Sequence, residues 1–456
     1  MREIHVENNK RIKKKNQKIY NTKTKNTIFL NRQCGITLIA LVVTVVILLI
    51  LSGVTINMLL GENGIIRTAQ EAKNTWESSI TNEQQEIKNL VNELNNIMNN
   101  ENISEDETET PEEPELEDIT TVTEIVQKEE GEKTKDTYGN VVVVPKGFKV
   151  VTSEATTVPE GIVIEDINGN QFVWIPVGQV YKDKTGTDIS TIQLGRYTFD
   201  TTNGTPTVVQ LAYTEKNPTN YINTEGKIGL IDDNGLQYTE LSIYREGVAS
   251  QGADGLNATA KNLAGFVQSV VDNGGYYIAR YEASYASGSN TTDWKPLSKV
   301  STGYSQSNTP TLVQGILWNS VTQLEASKIC QNMYKNDNTV GVESDLINSY
   351  AWDTAIIFIQ NMKEENSNYA NKIDGNGTLQ NTGKTKDEVC NIYDLAANLR
   401  EWTTEYCIQK DNSNAFACTS RGAHFFRSDY YTALRRPEVA TDYNLGWGFR
   451  MILYIK

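Results

Sequence analysis

Hydrophobicity in this chain is concentrated in one uninterrupted run. Residues 36–60 are 25 positions without a charge, and about 20 apolar residues rising 1.5 Å each suffice to span a bilayer core. The 35 residues before the run hold ten Lys or Arg against two Glu, and basic flanks stay on the cytoplasmic side. The pattern predicts a single-pass transmembrane helix with the rest of the chain outside the cell. Ile87, Leu90, Val91, Leu94 and Ile97 then recur at helical spacing among Glu, Lys and Asn, so 36–100 reads as an anchor continued by a helical neck.

The character changes at residue 101. Between 101 and 135 there are 14 acidic residues against three Lys, with Pro111 and Pro114. Like charge and low hydrophobicity keep such a segment extended and solvated, so 101–137 is expected to be a disordered acidic stalk. From Tyr138 to Lys456 the pattern is globular. Short β-type runs at 141–144, 162–164 and 172–177 are separated by Gly, Pro and Asn. Helical spacing marks 262–271, 321–333 and 349–362. Two or three helices among many short strands and long loops give an α+β class for 138–456. No internal repeat is evident.

Composition narrows the function. The net charge of −15 becomes near −23 once the basic leader, residues 1–35, is discounted, which argues against a nucleic-acid partner. Of five cysteines, Cys34 lies in the leader; Cys330, Cys390, Cys407 and Cys418 remain. Outside the cell these allow two disulfides in three pairings, without requiring them. Beyond the leader His424 is the single histidine, so His-based zinc sites and Ser-His-Asp triads have almost no raw material.

Two resemblances sharpen the reading. Gly35-Ile36-Thr37-Leu38-Ile39 resembles the prepilin-type cleavage and methylation motif. That implies a prepilin peptidase cutting after Gly35 and an N-methylated Ile36 on a type IV pilin-like helix. Ala40 stands where the family usually places the Glu used in filament assembly, which fits a membrane anchor better than a major pilin.

Further on come Gly274-Gly275-Tyr276-Tyr277-Ile278-Ala279-Arg280-Tyr281-Glu282, then Asn391 through Trp402, Ser420-Arg421-Gly422 and Gly446-Trp447-Gly448-Phe449-Arg450. This ordered set resembles the formylglycine-generating enzyme (sulfatase-modifying factor) family, and the likeness covers roughly 172–454. It implies a C-type-lectin-like domain. Within it Trp402 and Phe449 read as aromatic core anchors, and Arg421, Arg450 and Glu401 as candidates for interior ion pairs. The resemblance further implies a structural calcium near Asn398 and Glu401, although Ala397 and Arg400 replace the usual Gly and Trp. The family's two catalytic cysteine positions fall on Arg427 and Thr432, and neither can act as a thiolate nucleophile. A non-catalytic head is therefore expected. The alternatives are a formylglycine-generating-type enzyme using Cys407 and Cys418, and a minor pilin with a structural head.

Residues 423–447 occupy the place of that active site. His424, Phe425, Phe426, Arg427, Asp429, Tyr430, Tyr431, Arg435, Arg436, Asp442, Tyr443 and Trp447 form the mixture of rings and guanidinium groups that dominates binding hot spots. They are the expected contacts to an extracellular protein or glycan, with about a third of the aromatics in the core. From 423 to 437 there is no Lys, Glu, Gln, Met or Trp. Those five types cannot be reached from an AAC codon by changing its adenines. In this the segment resembles the variable region of proteins diversified by diversity-generating retroelements, with Glu438 and Trp447 as fixed positions.

Overall fold

Among the described residues, two six-stranded sheets and three helices carry the architecture. In the computed structural model the first sheet is built from β1 (Phe148–Val150), β2 (Val163–Asp166), β3 (Gln171–Pro176), β4 (Gly275–Ala279), β5 (Val342–Leu346) and β10 (Met451–Ile455). It is antiparallel throughout, in the order β5-β10-β4-β3-β2-β1. The residues described are 115–212, 230–231, 236–240, 248–249, 256–257, 260–290, 292–375, 377–409 and 418–456. The leader with Gly35 and Ile36, the apolar anchor, the neck and the first part of the acidic stretch lie outside them. Among the described residues no helix is long and apolar enough to cross a membrane.

The central strands are apolar without alternation because both faces are covered. Every residue of β4 and all but Gln171 of β3 are buried. Helix α1 (Leu263–Asn273) packs on β4 and β10, α2 (Gln323–Asn332) on β5, and α3 (Ser349–Met362) on β3. Each helix start is written locally. Asn262 accepts from Gly265 N, Asn348 from Ala351 N, and Thr322 with Glu325 closes a capping box. Helix α3 buries 12 of its 14 residues, as a helix apolar nearly all round must, and it carries Asp353 inside with it.

The second sheet holds Leu236–Thr239, β6 (Arg400–Gln409), β7 (Cys418–Arg421) and β8 (Arg435–Glu438) in antiparallel order, while β9 (Trp447–Phe449) runs parallel to the start of β6. Arg400, Glu401 and Trp402 pair with Trp447, Gly448 and Phe449. Trp402 and Phe449 are fully buried, each removing apolar area worth a few kcal/mol. Mixed sheets with few helices make this an α+β structure.

Two sequence expectations are corrected. The folded unit begins earlier than Tyr138: Glu117–Asp118 pairs with Glu132–Lys135, which pairs with Val141–Val144. Ile119, Val122 and Val126 are buried in the core. Three apolar residues spaced three and four apart were masked by the acidic average around them. The chain also holds a local repeat. Asp136 and Asp166 each close a hairpin by accepting two backbone N–H groups and the side-chain amide of an Asn four residues on, Asn140 and Asn170. The repeat escapes notice in sequence because only the Asp-x-x-Gly-Asn turn is shared.

Candidate functional site

Beneath the face built by 423–447 lies an ionic layer. Arg421 reaches Asp353 at 2.5 Å and Arg196 reaches Glu405 at 2.5 Å, all four side chains buried. Arg435 pairs with Asp353 and lies 3.0 Å from Glu405. Burial works against the Glu405 carboxylate, but Arg435, Arg196 and Arg421 overcome it and hold the group at about 2. Glu240, which accepts from Ser349 N and Thr404 Oγ1, is instead pushed up to about 7 by burial and by Glu405.

A second buried pair ties β6 to the end of β9. Arg450 donates to both oxygens of Glu401, with Nε at 2.9 and 2.7 Å, and also to the carbonyls of Ala279 and Tyr393. Asn398, at φ 57°, donates to Glu282 at 2.6 Å and accepts from Gln380 N at 2.9 Å. The oxygens that the family resemblance assigns to a calcium are thus engaged by protein partners. Among the described residues no group of three or more His, Cys, Asp or Glu is arranged to hold a metal.

Above the ionic layer is a cleft of about 210 Å³ lined by nine residues, eight of them from 424–447. Tyr430 forms its floor and is ringed by three guanidinium groups: Arg427 at 4.7 Å, Arg400 at 5.2 Å and Arg436 at 5.3 Å from the ring centroid. Arg400 also lies 5.1 Å from the Trp447 ring and pairs with Glu438 at 2.5 Å. Glu438 is shared with Arg436 at 3.7 Å. Burial pulls the Arg400 guanidinium below its ordinary value, against the opposing pull of Glu438.

His424 wedges the wall. Its ring stacks on Phe425 at 5.0 Å and meets Phe426 edge-on at 4.6 Å. Burial, then the charges of Arg400 and Arg427, lower it to about 4, so it is neutral at physiological pH. The close approach of Gly446 makes room for it: a Cβ there would fall 1.8 Å from His424 Nε2. A larger cleft of about 380 Å³ elsewhere, past Asn140, Pro176 and Gly274, is lined by one lysine and one aspartate and assembles no comparable set of rings and cations.

The expected contact residues separate by depth. Phe426, Arg427, Asp429, Arg436, Asp442 and Tyr443 are exposed; Tyr431 and Trp447 are half-buried; His424, Phe425 and Tyr430 are buried. Arg435 differs from expectation, since its side chain is 6% exposed and belongs to the ionic layer. Three cleft residues were missing from the expected contacts: Arg400, Glu438 and Asn444. The signal for Arg400 was its departure from the family pattern, an arginine where a tryptophan is usual.

At the two positions that the resemblance assigns to cysteine, Arg427 is exposed and pairs with Asp429, and Thr432 is buried against the Lys372 carbonyl. Cys330, Cys390, Cys407 and Cys418 are all buried. Compared with known protein families, curated proteins and solved structures, the chain matches none.

Proposed function

We propose that this chain is a non-catalytic cell-surface binding protein, held by a pilin-like anchor and engaging an extracellular ligand through residues 424–447. One observation carries the reading: eight of nine cleft residues come from that single segment, and they mix rings with guanidinium groups. Such side chains supply large contact area and directional hydrogen bonds at low entropic cost. The rigid ion-paired layer beneath keeps the face from collapsing into the core. The formylglycine-generating-type likeness supplies a C-type-lectin-like scaffold for the face, and Arg427 and Thr432 at the thiol positions remove that family's chemistry.

The residue types of 423–437 extend the proposal to diversification by a retroelement. Deep sequencing of codons 423–447 across a population of source cells tests it. Substitutions concentrated at adenine-derived positions in codons for exposed residues such as Phe426, Arg427 and Tyr443 are expected. An invariant segment overturns diversification and leaves a fixed-ligand adhesin.

A further inference from the structure

A second cleft stands at the end of α1. It measures about 380 Å³, within the usual range of about 300–1,000 Å³ for small-molecule pockets. Its lining comes from the hairpin of Glu132–Lys135 with Val141–Val144, from the α1 terminus, and from Pro176, Val177 and Tyr181. Both the hairpin and the helix end are fixed. Asn140 exchanges two hydrogen bonds with the Tyr181 backbone, at 2.9 and 2.7 Å. Gly274, at φ 72°, closes α1 by donating to the Val270 carbonyl and accepting from Val177 N, at 2.8 Å each.

The cleft carries opposite charges that do not meet. Lys133 and Asp272 both line it and both are exposed. Among the described residues the Lys133 ammonium makes no hydrogen bond or ion pair, and Asp272 accepts from Gln268 Nε2 at 2.8 Å without a cation beside it. The end of α1 is negative for a second reason. A helix C-terminus favours cations and disfavours carboxylates, yet the last turn of α1 holds Asp272 and no basic residue. Between the two charges the surface is apolar: Val141 is 47% exposed, and Val177 and Tyr181 are half-buried.

From this arrangement we propose that the cleft binds a small zwitterion, an amino acid or dipeptide with an apolar side chain. Its ammonium is set against Asp272 and the α1 terminus, its carboxylate against Lys133, and its side chain against Val141, Val177 and Tyr181. A ligand of single charge fits less well, because an anion alone meets the acidic helix end and a cation alone meets Lys133. The site is separate from residues 424–447 and does not depend on what that face binds.

The full chain, purified in a non-ionic detergent so that no zwitterion competes, would be titrated calorimetrically with leucine, leucyl-leucine, leucinamide, N-acetylleucine and phosphocholine. Saturable binding of leucine or leucyl-leucine is expected, with leucinamide and N-acetylleucine at least tenfold weaker. The first two arms separate the amino acid from the dipeptide. Lys133→Gln is expected to bring the zwitterion down to the affinity of the amide, and Asp272→Asn to that of the N-acetyl form. Both substitutions are at exposed positions and should leave the melting temperature unchanged. Phosphocholine bound as tightly as leucine or leucyl-leucine overturns the amino-acid class in favour of a lipid headgroup. Saturable binding of neither leucine nor leucyl-leucine, equal binding of the blocked forms, or binding that both variants leave intact overturns the site.

Discussion

Arg450 clasps Glu401 with its Nε and one terminal nitrogen, both side chains fully out of solvent. The pair joins the start of β6 to the residue between β9 and β10, so the two sheets share one ionic rivet. Glu401→Gln removes the carboxylate paired with a buried guanidinium and should cost about 3–5 kcal/mol, the range for breaking a buried pair from one side. Replacing both, Glu401→Leu with Arg450→Met, should recover most of the loss. Denaturant unfolding of the three variants measures this, and a double variant no better than the single one would contradict it.

Arg435 and Arg436 are sequence neighbours on opposite faces of β8. Arg435→Gln strips charge from Asp353 and Glu405 and should lower stability by several kcal/mol. Arg436→Gln removes an exposed charge and should change stability by no more than about 0.5 kcal/mol. Thermal melts of the two should differ sharply. Similar melts would mean that the ionic layer does not depend on Arg435.

Glu240 gives folding a pH dependence of defined sign. Its folded value of about 7 lies above the ordinary 4.5, so the folded state holds the proton more tightly than the unfolded chain. Its contribution is therefore full below pH 4.5 and is lost as pH rises through about 7, amounting to roughly 3 kcal/mol. Glu405, held at about 2, acts oppositely, with its contribution lost as pH falls from 4.5 toward 2. Unfolding free energies at pH 5 and pH 8 should show the loss in the native chain and a flatter profile in Glu240→Gln.

His424 is the one histidine beyond the leader, which makes its titration readable by NMR. Its ring signals should move with a midpoint near pH 4. In Gly446→Ala the added methyl displaces the ring toward solvent, and the midpoint should rise toward 6.5. An unshifted midpoint would show that the wall of the cleft yields without moving His424.

Cys330 and Cys390 should resist alkylation in the native protein. Burial pushes the Cys390 thiol up to about 12 and the Cys330 thiol well above its ordinary value, and reactivity follows the thiolate. Unfolding without reductant should expose Cys330 and Cys390 to the reagent, and Cys34 should be labelled only in a chain not cut after Gly35. Mass spectrometry of the labelled protein reads both the free-thiol state and the cleavage.

Local chemistry determined much of this protein before any fold was known. The strand and helix runs of the head, the burial of Trp402 and Phe449, and the interior pairing of Arg421, Arg450 and Glu401 all follow from residue type and spacing. Position 115–137 did not, because an acidic average conceals three apolar residues whose partners, such as Phe148 and Val150, lie elsewhere in the chain. The cleft was legible as a segment but not as a site. Side-chain alternation on β8 and the parallel pairing of β9 with β6 decide that Arg435 turns inward and that Arg400, from another motif, enters the cleft beside Arg436. Those are relations between distant strands, and a linear pattern of rings and charges holds no information about which face of a sheet each will meet.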